Sequence, residues 1–362
     1  MSWFFVLAAL IAIGLIINAV FLRGASLAVY DSPLPDIFGR GQPPSAGHDA
    51  MVRELGEKAA TLTSASGRSQ LALMRSTMDE MGSDASFDGS ITAASETGPR
   101  GEWLIPAGAD PSRRLLYIHG GAYVAGSPLS HRAITGELAR RTGGVVFSLD
   151  YRLMPEHPRS AGIEDCREAY RWILEHGPNG AGRASRLFVA GDSAGGNLSL
   201  SLANWIRDVD MPRPDGIIAL CPATDSSFAS PSLSSNIETD AMLGPLFGKL
   251  TKIPRPILGI STWFSNRMPP NDPRTSPVFA DLSGLPPVLV QASADEMLRD
   301  DAVRYVNRAR SQGSPAELQL WAHMLHVWHI FVQREVVEAS QAFDEIERFI
   351  NACCRNAADA AP

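Results

Sequence analysis

With 362 residues, 45% of them hydrophobic and 20% charged, the chain can bury a sizeable core, either as one large α/β domain with insertions or as two small domains. A formal charge of −7 and the lack of a Lys/Arg cluster of useful length argue against a nucleic-acid surface, so no nucleic acid is expected as a partner. The four cysteines, Cys166, Cys221, Cys353 and Cys354, show no paired framework and read as free thiols, with Cys166 and Cys221 buried, so the fold does not require an oxidising compartment.

The chain opens on an apolar run, Trp3 to Leu22, whose only strongly polar side chain is Asn18 and which Arg23 follows at once. At a helical rise of about 1.5 Å per residue such a run is about 30 Å long, the thickness of a bilayer's hydrocarbon core. Residues 1–23 therefore predict a single-pass N-terminal membrane anchor with Trp3 at the interface. A cleaved signal peptide, leaving a secreted or periplasmic protein, is the competing reading; the missing basic n-region and the length of the apolar run count against it. Arg23 alone does not decide the side of the membrane. Asp31 to Ala46 is rich in Pro and Gly, so residues 24–46 read as a linker.

Helical periodicity follows within residues 47–85, which read as N-terminal helices of a helical cap. Met51, Leu55, Ala59 and Leu62, then Leu71, Met74, Met78 and Met81, recur at three- and four-residue spacing and predict two amphipathic helices. A methionine stripe is ordinarily core packing; an adaptable wall of an apolar pocket is the alternative. From Ser90 strands and helices alternate. Strands are expected at Ile91 to Ser95, Glu102 to Ile105, Leu115 to His119, Val145 to Leu149, Leu187 to Ala190, Gly216 to Cys221, Val288 to Ala292 and Leu318 to Trp321. Helices fit at Ser130 to Arg141, Ile163 to Glu175, Gly195 to Arg207, Arg299 to Gln312 and Ser340 to Cys353. The pattern predicts an α/β fold over residues 86–356: a mostly parallel eight-stranded sheet with helices on both faces and an antiparallel start. The long interval between Thr224 and Pro286 breaks the rhythm. It reads as a cap insertion at about 225–275 over the carboxyl ends of the strands, where open sheets hold ligands.

Gly191-Asp192-Ser193-Ala194-Gly195 carries the chemistry, because the apolar run Leu187 to Ala190 leads into it and a helix leads out. Strand, sharp turn and helix with a serine at the apex form a nucleophile elbow. A serine hydroxyl is a weak nucleophile near its free pKa and needs a histidine base, which in turn needs an acid to fix its tautomer. Chain order in such folds is Ser, acid, His. Of the eight histidines, His323, His326 and His329 come late enough, and Asp295 and Glu296 follow the strand Val288 to Ala292. His119-Gly120-Gly121-Ala122 closes another strand and offers amides for an oxyanion hole, with the Ala194 amide at the helix start as the second donor site.

Together with Asp150-Tyr151-Arg152-Leu153-Met154-Pro155-Glu156-His157-Pro158, Asp272 to Pro277, Leu285-Pro286-Pro287 and Asp295 to Asp300, these residues resemble the bacterial hormone-sensitive-lipase-like branch of the α/β-hydrolases, from about Gly101 to Phe349. The resemblance implies a serine carboxylesterase for short- to medium-chain esters, with lactone hydrolysis as the alternative. It implies Ser193 as nucleophile, Asp295 as acid and His326 as base, and an oxyanion hole of Gly121, Ala122 and Ala194 shaped by Gly120. No cofactor and no metal are implied. Ala122, His323 and Val327 stand where the family commonly has glycine. Glu296 competes with Asp295, and Asp300 and Asp301 do so more weakly. The i, i+3, i+6 spacing of His323, His326 and His329 suggests a metal site only faintly, without a His-Glu-x-x-His pattern. Asp192 reads as a structural acceptor, and Arg152, Glu156 and His157 read as a buried polar network. A non-catalytic ligand-binding homologue is the reading of another class. Partners are thus a small-molecule ester or lactone and a membrane; the oligomeric state is not legible.

Overall fold

Among the described residues nine strands form one sheet: β1 (Ile37–Phe38), β2 (Gly89–Ala93), β3 (Gly101–Pro106), β4 (Asp110–Ile118), β5 (Gly144–Leu149), β6 (Arg186–Asp192), β7 (Gly216–Leu220), β8 (Val288–Ser293) and β9 (Ala316–Trp321). Their spatial order is β1-β9-β8-β7-β6-β4-β5-β3-β2. Within this sheet, among the described residues, only the β2–β3 and β3–β5 pairings are antiparallel. The central strands are buried on both faces, which is why they read as continuous apolar runs. The computed structural model describes residues 3, 5, 6, 14, 15, 18–94 and 97–359.

Helices α1 (Ala46–Ser64), α2 (Gly67–Ser83), α3 (Arg132–Thr142), α4 (Arg159–Glu175), α5 (Ser193–Asp208), α6 (Arg255–Asn266), α7 (Arg299–Ser311) and α8 (Val337–Asp359) complete the fold. Most of them form where helical periodicity predicts them. Two buried clusters lie on opposite faces of the sheet, one centred on Val189, Ile217 and Val290, the other on Tyr117, Ala190 and Leu289. The alternation of side chains along each strand divides them.

The ninth strand corrects the eight-stranded expectation, and its origin corrects the linker at 24–46. Leu27 is buried, Asp31 accepts a 2.6 Å bond from Arg304 of α7, and Asn307 donates to the carbonyls of Tyr30 and Pro33. Ile37 and Phe38 then pair with Leu320 and Trp321, whose ring stacks on Phe38 at 4.6 Å. Prolines and glycines here serve a docked segment, and a two-residue strand is too short to leave a period. Most of the predicted span Trp3 to Leu22 lies outside the described residues. Among the described residues no helix is long and apolar enough to cross a membrane. Asn18–Leu22 is a single helical turn with Leu22 buried.

Helices α1 and α2 are fastened to the sheet domain at two points. Ser45 caps α1 through His48 N and also bonds Glu338 through its amide (2.7 Å) and its hydroxyl (2.6 Å). Arg75 of α2 donates to the Val124 and Met154 carbonyls and bidentately to Glu156. The expected buried network of Arg152, Glu156 and His157 does not exist as such. Glu156 and His157 are exposed, Glu156 serving Arg75, and Arg152 pairs with Asp165. Between β7 and β8 the chain makes short helices Ser232–Ser235 and Leu243–Phe247 before α6.

Candidate active site

Residue Ser193 sits between β6 and α5 with φ = 50°, a left-handed conformation that costs a non-glycine residue about 1–2 kcal/mol. Tight packing imposes this turn: a Cβ at Gly191 would lie 2.5 Å from the Gly195 carbonyl, and one at Gly195 would collide with the Ile118 carbonyl. The two glycines of the motif therefore let β6, α5 and the end of β4 approach, and the serine between them takes the strain.

Asp192 locks the other side of the elbow. Its carboxylate accepts from the Tyr117 hydroxyl at 2.6 Å and the Gly120 amide at 2.9 Å, and His131 Nε2 lies 3.3 Å away. Burial alone would raise this carboxyl; His131 and the Tyr117 hydroxyl outweigh it and hold it down to about 2. The same pair works in reverse on His131, whose pKa rises although burial opposes it. Asp192 is thus the structural acceptor its place in the motif suggests, and His131 is a partner the sequence did not announce.

Gly120 needs a correction as a member of the oxyanion hole, because its amide is spent on Asp192 and a Cβ there would strike that carboxylate. By contrast, no acceptor among the described residues takes the amides of Gly121 or Ala122. Ala194 lies in the first turn of α5, where amides lack intrahelical partners. Ala122 has φ = 52°, His323 φ = 65° and Val327 φ = 52°. Glycine takes such left-handed values without cost, whereas for Val327, which is β-branched and buried, the conformation is strained.

The two acid candidates diverge. Glu296 is wholly buried, accepts from Ser293 N at 2.8 Å through Oε1, and holds His326 Nδ1 at 2.5 Å through Oε2. Asp295 is partly exposed and accepts from the His323 amide at 2.5 Å. The structure therefore does not bring Asp295 to His326, which corrects the acid assignment: on the bend after β8 Glu296 is turned into the protein and Asp295 towards the surface. The D-x-x-R-D-like stretch, by which the family resemblance implies Asp295, falls on Glu296 when counted back from Arg299-Asp300. Asp300 and Asp301 stay on α7, bonding the amides of Ser232 and of Thr224 and Asp225.

Burial would lower the His326 pKa, but the bond to Glu296 and the charges of Glu296, Asp240 and Asp192 raise it above its ordinary value. Asp240 reaches this corner from the segment above the site and accepts from Met297 N at 2.8 Å. His329 is buried against Gln291 at 2.8 Å and pushed down to about 3 by burial, so the three late histidines face three different partners. Cys221, Glu296 and His326 put a sulfur, an oxygen and a nitrogen within 4.8 Å of one another. The direct Glu296–His326 bond leaves no place between them for an ion, and burial, with the Glu296 charge, holds the Cys221 thiol protonated.

Two cavities meet at Ser193. The larger, about 300 Å³, runs from Ser193 and Ala194 to Phe247, Leu250 and Ile253, with Arg159, Asp225 and Asp301 as its polar wall. Burial first, and the Asp225 charge next, raise Asp301 to about 7. Arg159 is buried across the Tyr123 ring at 3.8 Å and donates to Asn197 and Thr275; no sequence pattern marked it. The smaller cavity, about 150 Å³, lies between α1, α2 and His326, and Met74, Met78 and Met81 line it. The methionine stripe is a pocket wall.

Fold and site together define an α/β-hydrolase, and residues 115–330 match the family described as alpha/beta hydrolase fold. An acetyl-hydrolase of Streptomyces hygroscopicus is 35% identical over 248 residues, 67% of this chain and 78% of that protein. An esterase of Acinetobacter venetianus is 34% identical over 252 residues, 70% and 78% of the two chains. A crystal structure of an esterase from the bacterial hormone-sensitive lipase family superposes with TM-score 0.73 at 32% identity, covering 85% of this chain and 98% of that one. The chain belongs to the bacterial hormone-sensitive-lipase-like branch of the α/β-hydrolase family.

Proposed function

We propose that this carboxylesterase cleaves short- to medium-chain carboxylic esters through an acyl-enzyme on Ser193, with His326 as base and Glu296 as the acid that orients it. The observation that carries the reading is the 2.5 Å bond from His326 Nδ1 to buried Glu296, in a lobe that Ser193 and His326 line together. An ionised carboxylate only accepts, so Nδ1 carries the hydrogen and Nε2 is the free base. His326 takes the Ser193 proton as Oγ attacks the ester carbonyl, and the amides of Gly121, Ala122 and Ala194 receive the oxyanion. His326 then gives the proton to the departing alcohol; water, activated by the same imidazole, releases the acid and regenerates the hydroxyl. Two lobes of about 300 and 150 Å³ on either side of Ser193 suit a modest acyl group and a modest alcohol. They do not suit the chains of a triglyceride.

Lactones fit the same chemistry and are the second substrate class. The apolar run that begins at Trp3 supports an N-terminal membrane anchor that keeps the enzyme beside membrane-partitioned esters, with its last turn, Asn18–Leu22, packed against α6. Assay of the purified protein on p-nitrophenyl acetate, butyrate and octanoate and on lactones, beside Ser193→Ala, tests the reading. Turnover that disappears in the variant is expected. Wild-type turnover no higher than the variant's on every substrate would leave the non-catalytic, ligand-binding reading instead. Sedimentation with membranes after a carbonate wash tests the anchor.

A further inference from the structure

Helix α6 has one face turned inward and one left open. Leu258 and Gly259 are buried, and a Cβ at Gly259 would lie 2.7 Å from the Asn18 amide nitrogen, so the turn Asn18–Leu22 is seated against this helix. On the open side Ile257, Trp263 and Phe264 are 58%, 38% and 73% exposed, and Leu250 and Ile253 just before the helix add to this apolar surface. Exposed cations stand among them: Lys249, Lys252, Arg255 and Arg267. No Asp or Glu occurs between Asp240 and Asp272, although the whole chain carries −7. Among the described residues none of the four cations has a carboxylate in salt-bridge range.

We infer that this face of α6 docks on a bilayer surface bearing anionic headgroups. Unpaired basic side chains interspersed with an interfacial tryptophan and large apolar residues have the chemistry of such a contact. A protein partner matched to the apolar residues alone would not account for four cations that, among the described residues, have no carboxylate partner. The surface is also continuous with the larger cavity, because Leu250 and Ile253 belong to both. Docking therefore puts the mouth of the lobe that ends at Ser193 on the lipid, and an apolar ester partitioned in the bilayer enters without crossing water. The docking is independent of the esterase reading; its consequence for substrate entry rests on that reading.

The test uses full-length protein in phosphatidylcholine vesicles, with or without phosphatidylglycerol, containing lipids brominated along the acyl chains. Trp263 in the interface predicts tryptophan quenching in anionic vesicles that is reduced in Trp263→Tyr and in the combined Lys249→Gln, Lys252→Gln, Arg267→Gln variant. Quenching identical in wild type and Trp263→Tyr overturns the inference. So does a homodimer in solution that Phe264→Ser dissociates, since the face would then bind a second copy. Trp263→Ser with Phe264→Ser is expected to keep turnover of soluble p-nitrophenyl butyrate while losing roughly tenfold on an ester embedded in anionic vesicles. Equal activity of wild type and variant on the embedded ester overturns membrane entry. Wild type inactive on soluble ester would instead defeat the esterase reading while leaving the quenching result standing.

Discussion

The floor and the roof of the cleft are built on different principles. On the floor, at the strand ends, the two buried carboxylates each have assigned partners: Asp192 with Tyr117, Gly120 and His131, and Glu296 with Ser293 and His326. The roof over the smaller lobe, from α1, α2 and residues 242–247, is apolar and methionine-rich, with α2 fastened by bonds such as Arg75 to Glu156. Buried charges allow one arrangement, whereas apolar contacts tolerate many. Chemistry is therefore specified below, and substrate choice above.

The floor should fail sharply. Ser193→Ala is expected to lower kcat on p-nitrophenyl butyrate by up to about 10⁶-fold. Loss of the Glu296 charge should then show in the pH profile. The base must be neutral, so activity falls as pH drops through the His326 pKa, which Glu296 and Asp240 raise above its ordinary value. Glu296→Gln removes the main cause of that rise, so the acid limb of kcat/KM moves to lower pH as the plateau falls. An unmoved limb would mean that another group titrates there.

Changes in the roof should be gradual. Met78→Trp narrows the smaller lobe and is expected to lower kcat/KM for octanoate relative to acetate by roughly tenfold, with acetate little changed. The smallest effect is expected at exposed His323, whose φ of 65° suits glycine. His323→Gly should stabilise the protein by about 0.5–1 kcal/mol, read by denaturant midpoint, because relief of left-handed strain exceeds the added freedom of the unfolded chain.

Much of the floor was legible because its constraints are local. The G-x-S-x-G glycines answer to contacts within one turn, and strands buried on both faces leave apolar runs. The acid differs by one position, Glu296 in place of Asp295, because adjacent carboxylates cannot be told apart by residue type; the direction of the loop and the spacing to Arg299-Asp300 both decide for Glu296. His131 and Arg159 were missed because their partners, Asp192 and Asn197, lie 61 and 38 residues away. The docking of residues 24–46 was missed for the same reason, since its bonds to Arg304 and Asn307 span more than 270 residues.

The adjacent pair Asp295 and Glu296 gives the most direct test of the account. Glu296→Gln and Asp295→Asn should be compared for kcat/KM on p-nitrophenyl butyrate at a pH where the wild type is on its plateau. The buried bond to His326 predicts a loss of about 10³–10⁴-fold for Glu296→Gln and a change within a few-fold for Asp295→Asn. A large loss in Asp295→Asn with Glu296→Gln near wild type would contradict it.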